Sequence, residues 1–259
     1  MNDPFLAVDI GNNQIKLGVF LSADTDALPR PDQIWTMAAR DTTFDQLAER
    51  LPPTGLSWVV ATVHRAAERR LAGWVKRYRP DDTYRRLDNA NLPINARVES
   101  PEHVGADRLL AAVAVNRLRD AGRAAIVVDA GSAITVDLVS SDGDFEGGVI
   151  LPGFEMTARA LSEGTDLLPL VDGQLVVDSP AVVGKSTVAA IRSGLFWGGV
   201  GAVRELIGRI SLGLTDKPQV FVAGGDAGRL APFLDDDVHV VSDLVLSGIA
   251  ITHQDTQTS

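Results

Sequence analysis

Ala124-Ala125-Ile126-Val127-Val128-Asp129-Ala130-Gly131-Ser132-Ala133-Ile134-Thr135-Val136-Asp137-Leu138-Val139 is the stretch whose reading decides the fold. A β-branched run, Ile126 to Val128, delivers Asp129. A tight Gly131-Ser132 bend follows, and Ile134, Val136 and Leu138 then recur at alternate positions. This is a strand–turn–strand signal with a carboxylate and a small hydroxyl at the turn. The N-terminus carries a second copy: Phe5-Leu6-Ala7-Val8 leads to Asp9-Ile10-Gly11-Asn12-Asn13, after which Ile15, Leu17 and Val19 alternate with Gln14, Lys16 and Gly18. Both copies read V-D-x-G, with aspartates at 9 and 129. That separation is far longer than a solenoid repeat of about 20–50 residues, so it predicts a duplicated domain. The expectation is an α/β chain of two related halves, 1–120 and 121–259, facing each other across a cleft to which each contributes one turn.

Such turns suit nucleotide phosphates. Small residues let backbone N–H groups approach an anion, and a hydroxyl or amide side chain adds a donor. An aspartate just before the turn repels phosphate itself, but it can hold a cation, or waters on a cation, that bridges to the phosphates. One V-D-x-G is a weak signal, because many buried strands end in Asp at a hairpin. Two copies at domain-like separation are a stronger one.

Composition narrows the classes. A net charge of −10 argues against nucleic-acid binding, which calls for a basic stripe. The absence of cysteine excludes disulfides and thiolate metal sites and leaves the redox compartment undetermined. No apolar run approaches the ~18 residues of a membrane span, and the chain enters a strand at once without a basic, then apolar, leader. A soluble, cytoplasmic protein is expected, with no membrane and no nucleic-acid partner.

Between the two hairpins, Ile34-Trp35-Thr36-Met37 reads as a strand and Thr43–Leu51 as a helix with Thr43 as N-cap, stopped by Pro52-Pro53. Leu56–Val63 reads as a buried strand. Ala66–Tyr78 reads as a helix whose arginines and lysines form a solvated face. His64 marks the corner between them. Residues 89–98 read as irregular with one short strand. Ser100-Pro101-Glu102 looks like a helix start, and Val104-Gly105-Ala106-Asp107-Arg108 opens a long apolar helix, Leu109 to Leu118. On physical grounds alone, Asp107-Arg108 is as much a helix cap as a site. In the second half, helices are expected at Phe154–Leu161, Thr187–Ile210, Gly228–Leu234 and Asp243–Thr252, and strands at Val220–Ala223 and Val238–Val241. The glycines at 194, 198, 199 and 201 suggest tight packing or close approach to a ligand. Strand, Gly224-Gly225, helix is how a backbone makes room for a base or ribose. Gly184-Lys185-Ser186-Thr187 copies the tail of a phosphate-binding P-loop after Leu175-Val176-Val177. The first glycine of that motif would fall at Ser179, however, and Pro180 interrupts the cradle. Asp235-Asp236-Asp237 reads as a solvated loop.

With both hairpins, Gly105–Arg108 and Gly224-Gly225 in place, the chain resembles the type III pantothenate kinases along essentially its whole length. The most specific pieces are Asp9 to Gly18, Val104-Gly105-Ala106-Asp107-Arg108-Leu109, Val128 to Asp137, and Gly147-Gly148-Val149-Ile150-Leu151-Pro152-Gly153. The resemblance implies a duplicated ribonuclease-H-like fold of the actin-like ATPase superfamily. It also implies ATP-dependent phosphorylation of the pantothenate hydroxyl, the opening step of coenzyme A synthesis. By position, Asp107 would be the general base. Gly105, Ala106, Asp107 and Arg108 would contact pantothenate, as would Thr187 from the neighbouring subunit of a homodimer whose site is built at the subunit interface. Asp9, Ile10, Gly11, Asn12, Asn13, Gln14, Ile15 and Lys16 would cradle the ATP phosphates and support Mg²⁺, and Ser132 would touch ATP. Asp129 would hold the monovalent cation, potassium or ammonium, that the family needs.

The chain departs from the family pattern at three positions. Asn13 and Ser132 stand where threonine is usual, and Ser186 stands where asparagine is usual. Ser132 keeps the hydroxyl, and Asn13 exchanges it for an amide that still donates. Two other readings follow from the residues: a catalytically weak or inactive nucleotide-binding regulatory protein of the same fold, motivated by Asn13, and a P-loop phosphotransferase centred on Lys185.

Overall fold

The computed structural model describes residues 4–21, 28–40, 43–52, 55–172, 179–234 and 237–258. The chain forms two compact units: the first runs through Leu118 and takes up the chain again from Asp243, and the second is Arg119–Ser242.

In the first unit, the hairpin β1 (Phe5–Ile10) and β2 (Gln14–Phe20) is extended by β3 (Gln33–Ala38) on one side. On the other side lie β4 (Ser57–Thr62) and β5 (Thr83–Arg86), giving the order β3-β2-β1-β4-β5. The first three strands are antiparallel, and β4 and β5 run parallel to β1. Alternation decides which face each residue serves. Leu6, Val8 and Ile10 join Ile15, Leu17, Val19, Trp58 and Val60 in one core. The helices α1 (Asp45–Arg50) and α2 (Arg65–Tyr78) cover that face. The helix α2 presents Ala67, Leu71, Trp74 and Val75, the spacing of a single buried stripe, so its basic residues lie outside it as expected.

The other face, carrying Phe5, Ala7 and Gly18, receives the last helix of the chain. The helix α3 (Ala106–Asn116) is buried almost all round, from Ala106 and Leu109 through Val115. It packs against the C-terminal helix, which spans Leu244–Thr258. A Cβ on Gly248 would run into the Leu110 carbonyl, so these two helices meet backbone to backbone. Gly248→Ala is therefore expected to lower stability by about 1–3 kcal/mol, the usual cost of overpacking, as read by denaturant titration. At the far end of this helix the His253 ring lies 4.4 Å from that of Phe5, and Arg85 donates to His253 Nδ1 at 3.1 Å. The division expected from sequence, 1–120 against 121–259, thus differs at the C-terminus. The chain from Asp243 onward belongs to the first unit because its apolar face is buried there.

The second unit repeats the first. Its strands are β6 (Ala125–Ala130), β7 (Ala133–Val139), β8 (Phe145–Pro152), β9 (Gln219–Ala223) and β10 (Val238–Val240). Their order, β10-β9-β6-β7-β8, is the same path as in the first unit. As there, the hairpin and its edge strand are antiparallel and the last two strands parallel to β6. The helix α4 (Phe154–Glu163) and the long α5 (Thr187–Ser211) follow, then the short α6 (Ala227–Leu230). A 3-10 turn, Ala231–Phe233, continues α6 where Pro232 stops the α-helix. The C-terminal helix is thus α7. Phe196 and Val200 of α5 join Val128, Val136 and Val222 in the core of this unit.

Two strands escape the sequence reading. In β5, Thr-Tyr-Arg-Arg has one apolar side chain and lies at a sheet edge, before the region 89–98 where a strand was expected. In β8 the Gly147-Gly148 pair depresses strand propensity. Ser100–Glu102 yields only a 3-10 turn, Pro101–His103. Of the four glycines singled out in α5, Gly199 alone packs closely, its Cβ position 2.5 Å from the Phe154 ring. Leu175–Val177 and Asp235–Asp236 lie outside the described residues.

Candidate active site

In the first unit the chemistry-bearing residues gather at the C-terminal ends of β1 and β4, where open α/β sheets bind ligands. The β1–β2 register pairs Asp9 with Lys16 and Ile10 with Ile15, and the Gly11 N–H donates to the Gln14 carbonyl at 2.9 Å. Asn12, Asn13 and Gln14 are exposed at this turn, while Ile10 and Ile15 point into the core. Any ligand contact by Ile10 or Ile15 is therefore through the backbone. The Asn13 carbonyl accepts from Ala39 N–H at 2.9 Å, which ties the turn to the end of β3. The Lys16 ammonium lies 3.1 Å from Asp243 Oδ1, and both side chains are partly exposed.

Beside this turn, the Val63 N–H donates to the Ile10 carbonyl at 3.0 Å, and Val63 Cγ1 lies 3.7 Å from where a Gly105 Cβ would be. Gly105 and the first turn of α3 are thereby brought to the same end of the sheet as Asp9. A Cβ on Gly105 would collide with Asp107 Oδ1, so the carboxylate folds back over Gly105 and a side chain there would displace it. Asp107 Oδ1 accepts the Arg108 N–H at 2.9 Å. Burial pushes the Asp107 carboxyl above its ordinary value, although that N–H and the Arg108 guanidinium oppose the shift. The N-cap is Gly105, with no side-chain cap, so Asp107 stands inside the first turn as an acidic residue with a perturbed carboxyl. Ala106 is buried, and Arg108 is half-buried. His64 accepts the Ala67 N–H through Nδ1 and caps α2, in keeping with its place at the corner.

The second unit builds the counterpart turn. Asp129 pairs in register with Thr135, one residue closer along the chain than Asp9 to Lys16, so this turn is tighter. The Gly131 N–H donates to the Ala133 carbonyl at 2.9 Å, and the Gly153 N–H to the Ser132 carbonyl at 3.2 Å. Gly224 has φ of 94°, and a Cβ there would strike both Asp129 Oδ1 and the Ala130 carbonyl. The glycine thus lets the chain pass close against one carboxylate and a backbone carbonyl, oxygen donors of the kind a hard monovalent cation takes. Asp226 donates its N–H to Ala130 O at 2.9 Å, and its carboxylate accepts from Arg229 at 2.7 Å. Burial raises the Asp226 carboxyl, against the pull of Arg229, and Glu155 adds to the rise. Among the described residues no group of three or more His, Cys, Asp or Glu could hold a metal ion.

The family model described as type III pantothenate kinase matches residues 5–209.

The chain belongs to the type III pantothenate kinase family.

Relatives extend the match to both ends. A type III pantothenate kinase from Endomicrobium trichonymphae is 33% identical over 259 residues, covering 95% of this chain and 97% of its own. One from Oleidesulfovibrio alaskensis is 32% identical, covering 99% and 98%. The match to the Caulobacter vibrioides relative is shorter, 36% identity over 62% of this chain and 61% of that one. Two solved structures share the fold at low identity. EutJ, an ethanolamine utilization protein from Carboxydothermus hydrogenoformans, has a TM-score of 0.51 at 16% identity, covering 97% of this chain and 90% of that one. Lmo2764 from Listeria monocytogenes, a putative N-acetylmannosamine kinase, has 0.51 at 14%, covering 98% and 100%. The fold is a duplicated, ribonuclease-H-like α/β one, with the same mixed five-stranded sheet in each unit.

The P-loop reading does not survive for this type III pantothenate kinase family member. Ser186 is the N-cap of α5: its Oγ accepts from Ala189 N–H at 3.2 Å, and its carbonyl accepts from Ala190 N–H at 2.8 Å. Gly184 presses against the backbone of Ala189 and Ala190, closing the space a phosphate would need. Thr187 and Lys185 are exposed. Ser186 in place of asparagine is conservative here, since both residues cap helices well. Asp226, Glu155 and Asp243 were not singled out as site residues in the sequence reading. For Asp226 the signal was present in the strand–Gly–Gly–helix pattern. For Asp243 no local signal exists.

Proposed function

We propose that this chain catalyses ATP-dependent phosphorylation of pantothenate to phosphopantothenate, the first step of coenzyme A biosynthesis. The observation that carries the reading is Asp107, a carboxylate held by the Arg108 N–H and raised by burial at the end of the sheet where the Asp9 turn also lies. A raised carboxyl is a better proton acceptor than an exposed one, and phosphoryl transfer asks otherwise for positioning and charge neutralisation. Asp107 orients the acceptor hydroxyl and takes its proton, while Gly105, the Ala106 backbone and Arg108 hold the pantothenate around it.

The turn Asp9, Ile10, Gly11, Asn12, Asn13, Gln14, Ile15 and Lys16 takes the ATP phosphates through backbone N–H groups, amide side chains and the Lys16 ammonium, and Ser132 adds its hydroxyl. Asp9 holds Mg²⁺, which when bound neutralises charge on the phosphate oxygens. Asp129 with the Ala130 carbonyl holds potassium or ammonium, a reading supported by the two oxygens that converge beside Gly224. The chain acts as a homodimer, with Thr187 reaching the pantothenate of the second copy. Met156, Leu167, Leu170, Val182 and Val183 support this, being apolar and exposed on the second unit. With no described helix long and apolar enough to cross a membrane, a cytoplasmic enzyme fits.

The experiment is transfer of labelled phosphate from ATP to pantothenate with Mg²⁺, in potassium and in sodium, with wild type and Asp129→Asn. Turnover stimulated by potassium in the wild type, with the stimulation lost in Asp129→Asn, is expected. A wild type that binds ATP and transfers nothing would make it the non-catalytic nucleotide binder instead.

A further inference from the structure

We propose that Asp243 is a positioning residue that holds the Lys16 ammonium ready for the ATP phosphates. The inference rests on reading the Asp9–Lys16 turn as the phosphate site. Lys16 faces Asp9 directly across the β1–β2 ladder, so the two side chains leave the same face of the sheet. On that face the ammonium meets Asp243 Oδ1 at 3.1 Å, with the two side chains 33% and 20% exposed. The pair is sheltered enough to have a preferred geometry, yet open enough for the remaining N–H donors of the ammonium to reach a phosphate while the Asp243 contact is kept.

The backbone at Asp243 supplies an independent observation. Its φ is 57°, and among the described residues it alone, of all non-glycines, adopts the left-handed conformation. Glycine would take this conformation without cost, whereas a side chain is strained there, aspartate and asparagine least. A carboxylate is thus kept at a position whose backbone favours glycine, and strain of this kind gathers where a side chain is needed for a task.

The carboxylate is also firmly placed. The Asp243 carbonyl accepts the Ser247 N–H at 3.0 Å, which fixes it to the first turn of α7. Leu246, in the same turn, lies 3.0 Å from the Gly18 Cβ position, two residues along β2 from Lys16. The anchor of Lys16 is therefore set by the contact of the C-terminal helix with the very strand that carries the lysine. A free lysine must lose most of its rotamer freedom when it engages a phosphate, and one already held loses less on binding.

The test compares Lys16→Ala, Asp243→Gly, Asp243→Asn and the double variant Lys16→Ala/Asp243→Gly. Thermal unfolding, the Kd for Mg-ATP by calorimetry and the KM for pantothenate are measured for each. Asp243→Gly is expected to be at least as stable as wild type, because glycine relieves the backbone. Its Kd for Mg-ATP should rise about ten-fold, the scale for a misplaced charge-assisted contact, with the pantothenate KM unchanged. Asp243→Asn should weaken ATP binding similarly, and the double variant should bind ATP no worse than Lys16→Ala, because Asp243 acts only through Lys16. If Lys16→Ala weakens ATP binding while both Asp243 variants bind as wild type, or if the effects in the double variant add, the positioning role is overturned. If Lys16→Ala itself binds ATP as wild type, the assignment of Lys16 to the phosphates falls, and this inference with it.

Discussion

Asp107→Asn is expected to lower kcat by about 10²–10⁴-fold, the usual contribution of a positioned general base, while the protein still binds ATP and stays folded. The amide occupies the same space beside Gly105 and accepts the same Arg108 N–H, but it cannot take the proton of the acceptor hydroxyl. Stability should move the other way. Burial raises the Asp107 carboxyl above the ordinary value of 3.8. The folded chain therefore favours the protonated acid, and the stability this adds is full below that ordinary value and lost as pH rises through the displaced pKa. At neutral pH the wild type carries a buried charge that the asparagine variant lacks, so the variant should melt at the same temperature or higher, and its advantage should fade in acid. The wild-type kcat/KM should fall on the acid side at a pH above that of an exposed aspartate. A variant that loses activity and stability together at neutral pH would mark Asp107 as a structural cap instead.

Asp82→Ala is expected to have the largest effect on stability, about 3–5 kcal/mol, as seen when one partner of a buried ion pair is removed. The Arg79 and Asp82 side chains are 6% and 1% exposed and directly paired. Asp82 also accepts from the Trp58 indole N–H at 2.8 Å and the Leu56 N–H at 3.1 Å, and Arg79 donates to the Pro52 carbonyl at 2.7 Å. Deleting the carboxylate would leave a buried guanidinium and a buried indole N–H unpaired where β4 begins. Burial by itself raises the Asp82 carboxyl, but the hydrogen bonds from Arg79, Trp58 and Leu56 and the Arg79 charge outweigh it and hold the pKa below the ordinary value. Its stabilisation is therefore present above that value and lost as the medium is acidified through the lowered pKa. Denaturant midpoints from neutral pH into acid should show the wild type approaching the variant. A midpoint that is the same for both proteins at neutral pH would refute the account.

The sequence was informative wherever structure is local. The hairpins were legible because alternation and turn residues sit within a few positions of one another, and α2 because Ala67, Leu71, Trp74 and Val75 repeat with a helical period. Asp9, Asp107 and Asp129 stood out because each ends or opens an element beside small residues. The strand β5 was not legible: Thr83–Arg86 is a strand because β4 offers it a parallel edge, with Ser57 to Val60 in register. The Gly184–Thr187 segment carried a motif by letter, and its meaning turned on Ser186 capping a helix and Gly184 packing onto it.

By itself, then, the sequence determined the α/β class, the duplication, the two acid-bearing turns and the family. All of these rest on short-range patterns that the backbone must obey wherever the segment ends up. Only the tertiary structure decided that the last helix returns to the first unit, where Gly248 meets Leu110 and Asp243 meets Lys16 across a sequence separation of 227. It also decided that Asp107 is buried enough to raise its carboxyl. Burial and long-range pairing are set by which surfaces meet, and no spacing along the chain encodes that.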